Sequence, residues 1–371
     1  MNALPSPLLL IGIGGAGAWM TRGILRAYGS GIRALVLDTD AQSGAIGDLP
    51  FMLLGGNRLA GRGTGGQPAS ARAAFQDNPA LIDPALEGVR TAVLVTALGG
   101  GTGGGATGEL LKHLHTLGIV TLLFATTPFS FEGEDRIRSA KTAAGPIGEY
   151  ADVSVFLPLD ALVADAGTDN LRDALARGVD TLASGVTLLW RILEKPGYIQ
   201  LGPERLRNIL VGCGRGQFAT ATASGEDRTK AILAALADHP LLARDASRPP
   251  VRTLLVGVLA GDDLRLSEIA DLSCGLSAAF GPSASIELGT VNDEQTFSGR
   301  LSVVVLLFEE HATHTTPHAS PLRTPGTADG RPHGEHALAA NSRFRNAEKT
   351  VWHDEDLDVP TFIRRNLTLD R

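Results

Sequence analysis

Three clusters of glycine carry the residues of this chain that could do chemistry. Gly12, Gly14 and Gly17 are spaced G-x-G-x-x-G between an apolar run at 7–13 and a segment at 18–28 that can form a helix. Residues 99–105 read GGGTGGG and residues 61–66 read GRGTGG. Without a Cβ the main chain can approach a phosphate closely, and a helix starting at such a turn offers unpaired N–H donors and the positive end of its dipole. Glycine makes up 45 of the 371 residues, about twice its usual share, and it is clustered, so the backbone itself is the candidate reagent. The first cluster alone, with Asp38 ending the next strand about 20 residues on, is a dinucleotide fingerprint. A dinucleotide fold has no need of the second. Two glycine turns at neighbouring strand ends can wrap a triphosphate from two sides. Gly14, Gly15, Ala16, Gly17 and Ala18 would lie on one side, and Gly99, Gly100, Gly101, Thr102, Gly103 and Gly104 on the other, with Thr102 able to donate a hydroxyl. Gly65 and Gly66 could close over the terminal phosphate, and no P-loop lysine accompanies the clusters.

The elements that must hold these turns are legible from periodicity. Apolar runs at 7–13, 33–37, 91–97, 120–125 and 153–158, with helical segments at 18–28 and 109–117, predict a parallel sheet covered on both faces. From 169 to 194, Leu171, Leu175, Val179, Leu182, Val186, Leu189 and Leu193 hold one helical face, and Lys195, Pro196 and Gly197 stop it. Such a helix would be roughly 39 Å long and suits a spine between two domains. Strands at 253–259 and 301–308 with helices at 228–237 and 266–280 predict an α+β second domain. The segment 310–350 gathers histidine and proline and reads as a linker, and the apolar and basic run at 357–365 reads as a docking peptide.

Composition limits the function. Lys plus Arg total 33 against 40 for Asp plus Glu, a net charge of −7, which leaves no general basis for nucleic-acid binding. With 43% hydrophobic and 20% charged residues and a mean hydropathy of +0.08, the chain is neither largely disordered nor membrane-spanning, and no direct membrane insertion is expected. Cys213 and Cys274 have neither metal-ligand spacing nor partners for a disulfide framework, which fits a cytoplasmic protein. Residues 1–7 carry no positively charged side chain and the run after them is broken by glycines, so no signal peptide is expected. His113 and His115 lie two apart on a helix, face different ways, and make no metal pair. No metal site is expected.

Taken together the motifs resemble the tubulin/FtsZ GTPase family, at its FtsZ branch. The resemblance rests on GGGTG at 99–103, DTDAQ at 38–42, TPFSFEGEDR at 127–136, GEDR at 225–228, HPLL at 239–242, Asp293 with Glu294, and LDVPTFIRR at 357–365. It implies an α/β fold: a parallel-sheet GTPase domain of tubulin/FtsZ type (1–168), a long central helix (169–197), a second α+β domain (198–309), a disordered linker (310–350) and a C-terminal docking peptide (351–371). It implies GTP or GDP as cofactor, with Mg2+ able to accompany it, Asp38 and Asp40 among the nucleotide-binding residues, and Glu132 and Arg136 at the ribose and phosphate side. The implied partners are other copies of the chain in a head-to-tail filament. Membrane-tether or division-ring proteins are a second class, reached through Pro360, Phe362, Ile363, Arg364 and Arg365, and the implied location is the cytoplasmic division site.

Two departures set expectations of their own. The family's catalytic loop reads N-x-D-x-x-D, and here those positions are Gln200, Gly202 and Arg205. Loss of a positioned carboxylate costs about 10² to 10⁴ in rate, so slow or absent hydrolysis is expected, with Gln200 and Glu204 as the remaining candidates. Glu204 substitutes if the loop shifts by one residue and is otherwise a solvated charge. The family's polar or stacking base contacts correspond to Trp19, Leu159, Leu175 and Val179, which are mostly apolar. The alternatives are a non-hydrolysing paralogue acting as scaffold or modulator of another filament, and a dinucleotide oxidoreductase, for which no hydride-transfer residues are found.

Overall fold

The computed structural model describes residues 8–28, 31–44, 49–162, 170–195, 197–243, 249–281 and 284–309, with the backbone of 351–352 and 355–356. The first half alternates strand and helix: β1 (Leu8–Ile13), α1 (Gly14–Tyr28), β2 (Ala34–Asp38), β3 (Phe51–Leu53), α2 (Gly56–Leu59), α3 (Pro68–Gln76), α4 (Asp83–Leu86), β4 (Thr91–Ala97), α5 (Gly101–Thr116), β5 (Val120–Thr127), α6 (Glu134–Tyr150), β6 (Val153–Pro158) and α7 (Leu159–Leu162). The long helix α8 (Leu171–Glu194) and α9 (Pro203–Leu210) follow. The second half comprises β7 (Gly214–Ser224), α10 (Arg228–Ala237), β8 (Val251–Ala260), α11 (Leu266–Phe280), β9 (Ser285–Asn292), α12 (Glu294–Phe297) and β10 (Arg300–Glu309). The short strands Val351–Trp352 and Glu355–Asp356 pair antiparallel with each other and belong to a separate unit. None of the described helices is long and apolar enough to cross a membrane.

One sheet of ten strands runs in the order β3-β2-β1-β4-β5-β6-β7-β10-β8-β9. The strands from β3 to β7 are parallel, β10 pairs antiparallel with both β7 and β8, and β9 returns parallel to β8. The α/β and parallel-sheet expectation holds. β7 was not legible as a strand because GRGQFATATAS has almost no large apolar residue, and its pairing with β6 and β10 supplies what its side chains lack.

Alternation along each strand decides which layer it feeds. In β1, Leu8 and Leu10 enter a core with Met20 and Ile24 of α1 and Leu182, Val186 and Leu189 of α8, whereas Leu9, Ile11 and Ile13 enter one with Leu110, Leu111 and Leu114 of α5. In β10, Val304, Leu306 and Phe308 join the α8 side, while Val303, Val305 and Leu307 meet Ile232 and Leu236 of α10 and Leu272 and Leu276 of α11. α8 therefore lies against one continuous face of the sheet. It starts two residues later than the periodicity predicts because the Asn170 side chain accepts the Asp173 N–H at 3.0 Å and caps the helix there.

The C-terminal turn of α8 is tied to both halves by charge. The Tyr28 hydroxyl donates to Glu194 at 3.0 Å, and the Arg191 guanidinium lies 5.2 Å from the Tyr28 ring centre. Burial and the Glu194 carboxylate push the Tyr28 phenol up to about 12. Arg191 also donates to the Asp293 carboxylate at 3.1 Å, and the Lys195 ammonium donates to the same carboxylate at 2.5 Å. The Lys195 ammonium holds the Asp293 carboxyl below the usual carboxylate range. A depressed folded-state value means that this stabilisation is present above the unfolded carboxylate value and is lost as pH falls through the folded one. Asp293→Asn should lower stability by about 2 kcal/mol at neutral pH, and the gap to the parent should close on acidification below about pH 4, as thermal melts across pH will read.

Candidate nucleotide site

Strand order reverses between β1 and β4, and in such sheets a crevice opens beyond the carboxyl ends of the strands. Here it is a cleft of about 810 Å³. Two helices begin at its floor: α1 starts at Gly14, directly after β1, and α5 at Gly101, with Gly100 as N-cap. The first i→i−4 bond of α5 is Gly104 N–H to the Gly100 carbonyl at 3.3 Å. The amides of Gly101, Thr102 and Gly103 therefore have no partner within the helix, and no side chain of Gly100 can cap them.

The second glycine run does more than form a loop, because most of it is the first turns of α5. A Cβ on Gly103 would sit 2.2 Å from the Ala97 carbonyl, and one on Gly101 would sit 1.8 Å from the Thr64 hydroxyl. Glycine here lets α5 start flush against the end of β4 and under the 61–66 loop. Gly14, at φ +75, turns the chain out of β1 and brings its own Cβ position to 3.4 Å from the Gly103 nitrogen.

Two loops wall the cleft and are stitched to each other. Gly63 N–H donates to the Thr39 carbonyl at 3.0 Å and Ala41 N–H to the Gly61 carbonyl at 2.9 Å, while the Thr39 and Thr102 hydroxyls share a 2.8 Å hydrogen bond. Asp38 spends its carboxylate on its own loop, accepting from Thr39 N–H at 2.7 Å and from the Ser43 hydroxyl at 2.6 Å. Asp40 accepts from Gln42 N–H at 2.9 Å. Beyond β5, Glu132 accepts from Phe129 N–H at 3.0 Å and is ion-paired with Arg136.

Of the residues singled out in the sequence, Gly14, Gly15, Ala16, Asp38, Asp40, Gly65, Gly66, Gly100, Gly101, Thr102, Gly103, Glu132 and Arg136 line this one cleft, together with Leu159 and Leu175. Gly17, Ala18, Gly99 and Gly104 lie behind it. Gly17 brings α1 against the Val95 carbonyl, Ala18 is buried, Gly99 turns the chain beside Pro128, and Gly104 packs near Pro68. Trp19 and Val179 line a smaller recess between α1 and α8 that shares Ala16, Leu159 and Leu175 with the cleft. Sequence reasoning missed Thr39, Ser43, Arg62 and Phe131, which also line the cleft. Arg62 sits inside the GRGTGG motif, and that position was its signal. Pro360, Phe362, Ile363, Arg364 and Arg365 lie outside the described residues, as does the linker.

Gln200 and Glu204 do not line the cleft. Glu204 pairs with Arg90 at 3.2 Å, the residue before β4, whereas the cleft lies past the other end of that seven-residue strand, about 23 Å away along it. Arg205 is bidentate with Glu287 of β9, Nη2 donating to Oε1 at 2.7 Å and Nε to Oε2 at 3.2 Å.

The floor of bare amides, two helix starts, and the Arg62 and Arg136 guanidiniums fit a polyphosphate chain. Among the described residues no cluster of His, Cys, Asp or Glu could hold a metal ion by itself. A divalent cation here would take most of its ligands from phosphate and water.

A model of the tubulin/FtsZ GTPase domain matches residues 7–167. The cell division protein FtsZ of Pseudomonas putida is 30% identical over 295 residues, covering 79% of this chain and 74% of that protein. FtsZ of Coxiella burnetii is 28% identical across 96% of this chain and 95% of its own length. Among solved structures, an FtsZ dimer from M. jannaschii superposes with a TM-score of 0.74 at 24% identity, over 81% of this chain and 87% of that one. A CetZ2 protofilament from Haloferax volcanii, bound to GTPgS, gives 0.69 at 20% identity, over 83% of this chain and 94% of that one.

Gly100→Ala, facing open space, should change stability by no more than about 1 kcal/mol. Gly101→Ala, driven into Thr64, should cost about 1 to 3 kcal/mol, and denaturant melts will separate the two. The geometry of the cleft and the likeness to FtsZ proteins along most of their length place this chain in the tubulin/FtsZ family, as an FtsZ-like member.

Proposed function

We propose that the chain binds GTP or GDP in the cleft and assembles head to tail into cytoplasmic filaments at the division site, with slow or absent hydrolysis. The observation that carries this reading is the separation of the two poles. The amide floor lies beyond the carboxyl end of β4, and the Gln200 to Arg205 loop lies by its amino end. Stacking copies in one orientation sets the loop of one copy over the cleft of the next, a heterologous contact that grows without closing. That CetZ2, which shares this fold, is solved as a GTPgS-bound protofilament supports polymerisation with nucleotide.

Bound nucleotide supplies the phosphate charge that bridges the two copies. The amides of Gly14, Gly15, Gly101, Thr102 and Gly103 bind its oxygens, Arg62 and Arg136 offset its charge, and Gly65 and Gly66 leave room for the terminal group. Mg2+ accompanies the phosphates. Water activation is the weak step. The loop offers no unengaged carboxylate: Glu204 is paired with Arg90, and Arg205 is turned to Glu287. Functionally the chain divides as its sequence suggests, into 1–168 for nucleotide, 169–197 as the connecting helix, 198–309 for the opposite pole, 310–350 as tether and 351–371 for recruitment by membrane-tether or division-ring proteins.

Sedimentation with GTP should yield polymer, while phosphate release stays at least about 100-fold below that of an FtsZ with both loop aspartates. Introducing Gly202→Asp with Arg205→Asp should raise turnover, and Glu204→Gln should leave it unchanged. Vigorous turnover by the parent would contradict the reading, and absence of saturable GTP binding would favour a scaffold instead. Deleting 357–371 should abolish recruitment to the division site without altering assembly of the purified protein.

A further inference from the structure

We infer that the site selects its ligand by the phosphate chain and not by the base, taking guanine and adenine nucleotides alike. This rests on the nucleotide reading above and widens it from guanine to purine nucleotides. With phosphates on the amides of Gly14 and Gly101 to Gly103, the heterocyclic end runs past Ala16, Leu159 and Leu175, which line both the cleft and the recess between α1 and α8.

The recess, about 80 Å³, is lined by Ala16, Trp19, Met20, Ala97, Thr126, Leu159, Leu175, Gly178, Val179 and Leu182. Among these described residues the polar side-chain groups are the Thr126 hydroxyl, 5% exposed, and the indole N–H of Trp19, and none is a carboxylate or amide that would pair with one purine edge and not the other. Guanine and adenine differ in the donors and acceptors on their edges and hardly at all in their apolar faces. A site that hydrogen-bonds a distinguishing group rejects its analogue by about 10⁴-fold or more, whereas an apolar pocket separates near-isosteres by about 10 to 200-fold. What this recess offers is contact area and one aromatic face. Trp19, 40% exposed at the mouth of the recess, can stack on either purine.

The test is displacement of a fluorescent GTP analogue from the full-length chain by GTP, ATP and inorganic tripolyphosphate. GTP and ATP should compete within about 200-fold of each other, and a wider gap overturns the inference while leaving nucleotide binding intact. If the fluorescent analogue does not bind saturably, the nucleotide reading itself falls. Trp19→Ala should weaken GTP and ATP by a common factor of about ten with tripolyphosphate unaffected, and Trp19→Phe should restore most of the loss. An effect on one nucleotide alone contradicts a stacking role. Val179→Asp adds a carboxylate acceptor to the wall of the recess, which guanine, but not adenine, can meet with adjacent N–H donors, and should raise the GTP preference by about tenfold. No rise would show that the base lies elsewhere.

Discussion

Everything at the cleft depends on two helix starts being held at contact distance with their first amides left unpaired. Such donors are costly when buried and strongly attractive to an anion when a cleft exposes them. The protein keeps them bare by placing glycine where any capping side chain would stand, at Gly100, and where any Cβ would strike the strand end or the neighbouring loop, at Gly103 and Gly101. The Thr39 to Thr102 hydroxyl pair then fixes the loop wall against α5. Removing the glycines would change more than flexibility, since the helix could no longer start flush with the sheet.

The rest of the molecule relates this floor to a distant surface. The sheet is continuous from β3 to β9, and α8 lies along one face of it, so the cleft end and the loop after α8 are joined through one packed core. Asp293, Arg191, Lys195 and Tyr28 secure the far end of α8 to α1 and to the β9 to β10 connection. In the head-to-tail polymer proposed above this core would carry the load, and the chemistry would be divided between two copies. Electrostatics at the far pole are correspondingly altered: an arginine bound to Glu287 and a glutamate bound to Arg90 occupy the loop where the resemblance implies two free aspartates.

Much of this is legible in the sequence alone. Buried parallel strands are continuous apolar runs, so β1, β4, β5 and β6 stood out, and α8 showed its single face over many turns. The glycine clusters identified the floor because so much conformational freedom is surrendered only for a bare backbone. What stayed hidden depended on tertiary pairing. β7 and β9 are strands because of their neighbours more than their side chains, as the mixed composition of GRGQFATATAS shows. Asp38 stood at the expected place, yet its carboxylate is occupied by Thr39 and Ser43, a local turn that spacing alone cannot reveal. Thr102, expected to offer its hydroxyl to a phosphate, shares it with Thr39.

The most direct measurement of the central claim is the amide spectrum of the isotopically labelled protein titrated with GTP and, separately, with guanosine. The account predicts large shifts at the backbone amides of Gly14, Gly15, Gly101, Thr102 and Gly103 with GTP, and little response at those amides to guanosine at the same concentration. Unmoved glycine amides in the presence of saturating GTP, or equal shifts with the nucleoside, would contradict it.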